Sequence, residues 1–464
     1  MMRSKNTHHK KLELGKLLDA LIKIPISDPL GNESLYLKEQ LMKSKTFDTL
    51  LKNLLSCIEH KVCNIHIINI LINKLVFFKQ EKKADQLFHF VSKVQITDEH
   101  TYSSMIRIAG NRGDIEYAKK IYNEALTLEK ANVVTHTNMI QCCGQNDCLD
   151  LALIAYENAV TTHSANDFTH NTIIDLAGKN AQMDIAVYAY NNAIDTKTYN
   201  AFTHNTMINI AGKNGRMDLV RSAYLNAHLT QAADIITYNS MIDSAGRNGS
   251  LDLAISAYSQ VMKLGIADVY SYTSMTATAI KNNKLNLAMK TYNEALVANQ
   301  LTPFIHRMMM DAVTQINSFE LMFVLYNNAT NLGFIKDATT HINMIKLFGD
   351  NNRMDLALFA YNNALLSGLI DIGIFNTMIQ VSGSKGLFQV ALNSFYNALN
   401  LKIDNNDTYK QMADIFLQNK ITPYPLETYR QYAMSLFNSK AIVPINDSKN
   451  DLKPTTHSRL KFNK

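Results

Sequence analysis

The sequence predicts an all-α fold: a right-handed α-solenoid of about ten to eleven helix-turn-helix repeats, each 34–35 residues long. Three observations predict it. A six-residue anchor recurs every 34 residues, each copy carries two amphipathic stripes, and the 464-residue chain has only 17 glycines and 7 prolines. That scarcity of turn residues argues against a β-rich protein. Hydrophobic residues make up 47% and charged residues 19%, which excludes disorder throughout.

The anchors are Thr101-Tyr-Ser-Ser-Met-Ile, Thr135-His-Thr-Asn-Met-Ile, Thr169-His-Asn-Thr-Ile-Ile, Thr203-His-Asn-Thr-Met-Ile and Thr237-Tyr-Asn-Ser-Met-Ile. More degraded copies begin at Ser271, Ile305, Thr340, Ile374 and Thr408, and a weak one at Ile67. Places within a repeat are numbered so that these anchors stand at place three.

The first helix of each repeat is expected to run from the anchor to a glycine-containing break such as Gly212-Lys-Asn-Gly. His204, Met207, Ile208 and Ala211 fall at i, i+3, i+4 and i+7, one helical stripe. The second helix opens with an acid (Glu116, Asp150, Asp184, Asp218, Asp252, Asp355), where the helix dipole favours negative charge. It continues as Ala-x-x-x-Tyr-x-x-Ala, as in Ala152, Tyr156, Ala159 and Ala186, Tyr190, Ala193. Small residues let helices approach, and the tyrosine fills the seam between repeats. One hairpin cannot bury both of its faces, so the units must stack.

The termini depart from the period. Residues 1–32 read as a basic, partly disordered extension with an amphipathic stretch from Leu12 to Ile24, and 33–66 as a helical N-cap. Residues 67–438 read as the array, closed by a capping helix at 425–438, and 439–464 as a basic disordered tail. The start lacks the long apolar core of a secretory signal, and its basic character suits either a transit peptide or a solvated tail. No window of ~18 apolar residues suggests a membrane span. The reading is therefore a cytoplasmic or organellar protein (mitochondrion or plastid), or one delivered to a host cell.

The repeat resembles two families. Ala, Tyr and Ala in the second helix suit the tetratricopeptide repeat, a protein-binding module. However, the chain has no tryptophan, and the closing proline of that unit is missing from nearly all copies. Thr-Tyr/His-Asn-x-Met-Ile followed by Gly-Lys/Arg-Asn-Gly resembles the pentatricopeptide repeat, a family that binds single-stranded RNA. Residues 237–269, TYNSMIDSAGRNGSLDLAISAYSQVMKLGIADV, match that pattern through both helices. The likeness covers roughly residues 67–438 and is strongest from 99 to 300; repeats after 302 have eroded first helices.

The resemblance implies about one base read per repeat, using two or three side chains. Its base-edge roles fall on place five and the last residue: Ser103/Asn132, Thr137/Asn166, Asn171/Asn200, Asn205/Asp234 and Asn239/Asp268, with Asn376/Asn405 and the weaker Asn69/Asp98 outside them. The family's pairing rules imply a preference near 5′-A-A-pyrimidine-U-U-3′. Asn and Thr at a helix start, and Asp or Asn at a repeat end, are also ordinary caps and turn residues.

Stacking would fall on place two: Val134, Phe168, Phe202, Ile236, Tyr270 and Phe304. Alternatively, each could be a hydrophobic staple packed on the preceding repeat. The phosphate role would fall on place thirteen, where Lys179, Lys213, Arg247 and Lys281 occupy four consecutive repeats. A glycine stands just before most of these places. Mid-helix glycine costs ~1 kcal/mol against alanine, so close packing or a close phosphate must demand it, packing being the better explanation.

Bulk charge gives no support for nucleic acid. The net charge is +6, of which residues 1–20 contribute +3 and residues 439–464 contribute +4, leaving −1 for everything between. Any RNA binding must come from local placement. Five cysteines with no CxxC pair suggest neither a disulfide framework nor a zinc site and fit a reducing compartment. His136, His170, His204, His306 and His341 recur at place four as packing substitutes for tyrosine, too far apart to share a metal. No nucleophile with an orienting base is apparent. The expectation is a non-enzyme without cofactor or metal, with single-stranded RNA as partner, or a protein partner if the solenoid is only a scaffold.

Overall fold

The computed structural model describes residues 13–26 and 31–418. The capping helix expected at 425–438 and the basic tail at 439–464 lie outside the described residues, as do residues 1–12 of the expected N-terminal extension. The chain divides into two compact units, residues 1–282 and 283–464. Each is a stack of helical hairpins, and no strand occurs among the described residues.

In the first unit, helical residues 13–21 precede Asn32–Met42, Phe47–Glu59, Ile65–Phe77 and Glu81–Lys93. The regular hairpins follow: Glu99–Asn111 with Ile115–Thr127, Val133–Gln145 with Leu149–Thr161, Asp167–Lys179 with Met183–Asp195, Ala201–Lys213 with Met217–Leu229, and Ile235–Arg247 with Leu251–Lys263. Val269–Lys281 ends the unit. The second unit begins at Leu285–Val297 and continues through Pro303–Gln315 and Phe319–Asn331, Ala338–Asp350 and Met354–Ser367, Ile372–Ser384 and Phe388–Asn400, to Asn406–Gln418.

The recurring anchor threonine has a local cause. First helices start two residues ahead of it, so it occupies the third helical position. Asn200 caps the helix by accepting the Thr203 N–H at 3.1 Å, while the Thr203 hydroxyl receives the Asn200 N–H at 3.2 Å. The same reciprocal box forms at Asp98/Thr101, Asn166/Thr169, Asp234/Thr237 and Asp268/Ser271. Two otherwise orphaned backbone donors are satisfied at each helix start, and losing such a cap costs ~1 kcal/mol.

The core follows the predicted stripes. Met207, Ile208 and Ala211 of the first helix and Ala152, Tyr156 and Ala159 of the second are at most 1% exposed. Each seam tyrosine reaches the place-four residue of the next repeat. Tyr122 meets His136, Tyr156 meets His170 and Tyr190 meets His204, hydroxyl to Nδ1 at 2.7–2.8 Å, with the rings edge to face. Such aromatic pairs add ~0.5–1.5 kcal/mol beyond area burial.

The structure revises the glycine break. Gly178, Gly212 and Gly246 lie inside the last turn of the first helix, not in the turn beyond it. They pack on place ten of the next repeat: a Cβ on Gly178 would stand 1.7 Å from Ile210 Cγ2, and one on Gly246 2.0 Å from Thr278 Oγ1. Close helix packing thus demands these glycines. The left-handed turn comes three residues later, at Gly215 (φ 71°) and Gly249 (φ 72°), the conformation glycine adopts without penalty.

Candidate functional site

Places two, five, nine and thirteen are three, four and four residues apart. At ~100° per residue their directions fall within about 80° of each other, forming one stripe about 16 Å long on each first helix. Stacked hairpins repeat that stripe from one first helix to the next. The stripe lies on the opposite side of the helix from the core stripe of places four, seven, eight and eleven.

Place two is exposed. Val134, Phe168, Phe202, Ile236 and Tyr270 in the first unit are 45–73% exposed, and Phe304 in the second is 51% exposed. A staple buried against the preceding repeat does not describe them. The Arg307 guanidinium stands 5.7 Å from the centre of the Phe304 ring. Isolated apolar side chains on a surface need no explanation, but five at one place of successive repeats do.

Place five is more enclosed than the sequence suggested. Ser103, Thr137, Asn171 and Asn205 are at most 5% exposed, whereas Asn239 and Asn376 are half-buried. They sit in the seam between repeats. Asn205 donates to Asp234 at 3.1 Å, Asn239 to Asp268 at 3.1 Å, Asn376 to Asn405 at 3.3 Å and Asn69 to Asp98 at 2.9 Å. Ser271 donates to Asn239 at 2.7 Å and Thr408 to Asn376 at 2.7 Å. The Ser103 hydroxyl turns back to the His100 carbonyl, and that of Thr137 to the Val133 carbonyl and the Thr169 hydroxyl. The Oδ1 atoms of Asn171 and Asn205 are buried without a hydrogen-bond partner. An unmet buried acceptor costs ~1–3 kcal/mol.

The last place of each repeat caps the next helix. Asn132, Asn166, Asn200, Asp234, Asp268 and Asn405 each accept the place-three N–H at 2.8–3.1 Å. The second role of this residue is its bond to place five, so the two base-edge columns are a hydrogen-bonded pair in the Asn–Asp repeats and at Asn376/Asn405. Asn132 and Asn200 instead donate to Glu99 and Asp167, both at 2.6 Å. Burial alone would raise the Asp234 carboxyl, but the bonds from Asn205 and Thr237 outweigh it and hold the group below its ordinary value.

At place thirteen all four cations are exposed. Lys179 pairs with Asp175 at 2.5 Å, and Arg247 with Asp243. Lys281 donates to the Arg247 carbonyl at 2.9 Å, and Lys213 makes no ion pair among the described residues. The sequence reading missed the two aspartates at place nine, although their i, i+4 spacing from the cation was visible.

The place-four histidines sit in the seams, His136, His170, His204 and His341 buried and His306 half-buried. Desolvation holds His136, His170, His204 and His306 down at about 4, so they are neutral at pH 7. Among the described residues, no group of three or more His, Cys, Asp or Glu is placed to hold a metal ion. No described helix is long and apolar enough to cross a membrane.

A family model for the PPR repeat, the pentatricopeptide repeat, matches residues 100–128, 134–158, 202–225 and 236–266. The chain carries pentatricopeptide repeats. The crystal structure of the pentatricopeptide repeat protein PPR10 from maize is similar in fold, with a TM-score of 0.50 at 16% identity over 87% of this chain and 59% of that one. PPR10 in complex with an 18-nt psaJ RNA element gives a TM-score of 0.47 at 16% identity, over 88% and 57%. A tetratricopeptide repeat protein from Parabacteroides merdae ATCC 43184 gives 0.32 at 14% identity, over 51% and 94%. This chain therefore spans about three-fifths of the length of the PPR10 chains. No curated protein matches it in sequence. The pentatricopeptide hairpins are α-solenoid units, and the repeat at 167–200, which the family model passes over, has the same helices, cap and seam contacts as its neighbours.

Proposed function

We propose that the first unit binds single-stranded RNA along the stripe of its first helices, sequence-selectively, and so affects the stability, processing or translation of a transcript. The observation that carries this reading is the row of five exposed apolar side chains at place two. Each stands on the same helix face as a short polar group at place five, and four of those helices (beginning at 167, 201, 235 and 269) add a cation at place thirteen. Bases stacked on such wedges gain ~1–3 kcal/mol each, and the polar edge beside each wedge supplies selectivity. PPR10, whose fold this chain shares, is itself known in complex with an RNA element, which supports the same class of ligand. The unpartnered Asn171 and Asn205 acceptors lie beside Phe168 and Phe202, so base donors would meet a demand that the protein leaves open there.

The second reading is a protein-binding scaffold. It is favoured by the seam position of place five, where Asn239 and Asn376 already spend their donor on the last residue of their own repeat and their acceptor on the next repeat's anchor.

A fluorescence-polarisation titration with mixed-sequence single-stranded RNA at two salt concentrations separates them. Salt-dependent, sequence-graded binding supports the RNA reading. Absence of binding at low salt leaves the scaffold.

A further inference from the structure

We infer that Asp175 and Asp243 are attenuators of nucleic-acid affinity, which leave only alternate repeats of the first unit able to grip a phosphodiester backbone. The inference rests on the RNA-binding reading and assigns roles to residues outside the stacking, base-edge and phosphate columns.

The argument begins with four consecutive first helices. Place nine lies one turn before place thirteen on the same stripe, so a side chain there reaches the cation. In Asp167–Lys179 and Ile235–Arg247 that place holds Asp175 and Asp243, and both pair with the cation one turn on. In Ala201–Lys213 it holds Asn209, and in Val269–Lys281 it holds Ala277. The stripe charge therefore reads zero, plus one, zero, plus one along the four repeats. Lys281 spends a hydrogen bond on the Arg247 carbonyl but keeps its charge, because a carbonyl contributes no countercharge.

An aspartate beside the cation acts twice. It occupies donor hydrogens that a phosphate oxygen would use, and it repels the phosphate itself. The pairs are 40–66% exposed, so they add little to stability; surface pairs of this kind are worth ~0–1 kcal/mol. Their effect therefore falls on the partner rather than on the fold. The local +2 on this stripe is also consistent with an array whose charge between the termini is about neutral.

The test compares salt slopes of single-stranded RNA binding for the full chain and three double variants. Each phosphate neutralised on a single strand contributes about −0.7 to the slope of log K against log salt. Asp175→Asn/Asp243→Asn frees two cations and should steepen the slope by about 1.4, tightening binding tenfold or more at low salt and converging with wild type at high salt. Lys213→Met/Lys281→Met should flatten the wild-type slope by about the same amount, and so should Asn209→Asp/Ala277→Asp, which places an aspartate one turn before each free cation. Circular dichroism melting checks that all variants keep the wild-type midpoint.

Wild-type binding with an unchanged slope in the aspartate variant overturns the inference alone. So does an unchanged slope in Asn209→Asp/Ala277→Asp. No binding by any of the proteins at the lowest salt overturns this inference together with the RNA reading.

Discussion

The Tyr190 hydroxyl meets the Nδ1 of His204 at 2.7 Å across the seam between two repeats, with both side chains less than 5% exposed. The imidazole must remain neutral there, and burial holds it down at about 4 against an ordinary 6.5.

This seam makes the array acid-sensitive. The unfolded chain takes up protons on these histidines below pH 6.5, while the folded chain does so only near pH 4. Stability is therefore complete above 6.5 and is lost as pH falls through the window from 6.5 to 4. Each of His136, His170, His204 and His306 contributes at most about 1.4 kcal/mol per pH unit in that window. His204→Tyr, which copies Tyr238 of the next repeat, should reduce the slope of unfolding midpoint against pH. An unaltered slope would remove the histidine seam as its cause.

Glycine packing gives a graded pair. Gly178→Ala puts a Cβ 1.7 Å from Ile210 Cγ2, so overpacking should destabilise by roughly 1–3 kcal/mol despite the better helix propensity of alanine. Gly144→Ala meets only the end of Leu176 at 3.1 Å and should be close to neutral. Urea midpoints of the two variants check the order.

Phe168→Ala and Phe202→Ala should each weaken RNA binding by about 1–3 kcal/mol in a polarisation titration. Both rings are more than half exposed, so the unfolding midpoint should move little. A large fall in stability with unchanged affinity would return place two to a packing role.

The double change Asn205→Thr with Asp234→Asn should shift preference at one position from uracil to adenine. Asparagine caps as well as aspartate, so the helix start at Ala201–Lys213's successor, Ile235–Arg247, should survive. Selection from randomised RNA reads the outcome; identical preferences in both proteins would show that this pair does not read a base.

Much of the fold was legible because one pattern is written many times. A single Thr-His-Asn-Thr-Met-Ile is weak, but five in register fix period, helix starts and core stripe together. The exposed row from Val134 to Tyr270 could be picked out in the same way. Two things were hidden. Whether Gly212 lies in a turn or in the last helical turn depends on Ser244 of the next repeat, 2.4 Å from where its Cβ would be. The enclosure of Asn205 likewise depends on the depth of the seam, which a one-dimensional pattern does not specify. The Asp175–Lys179 pair was readable from spacing, but attention to place thirteen alone passed over it.

The residue that ends each repeat also starts the next helix. Asp234 holds Asn205 with one bond and nucleates Ile235–Arg247 with another. Evolutionary change at that site is consequently limited to side chains that begin helices well, chiefly Asn, Asp, Ser and Thr. On the RNA reading proposed above, the array's vocabulary for ligands is restricted by its own folding grammar, and a new specificity would be gained more easily at place five than at the junction.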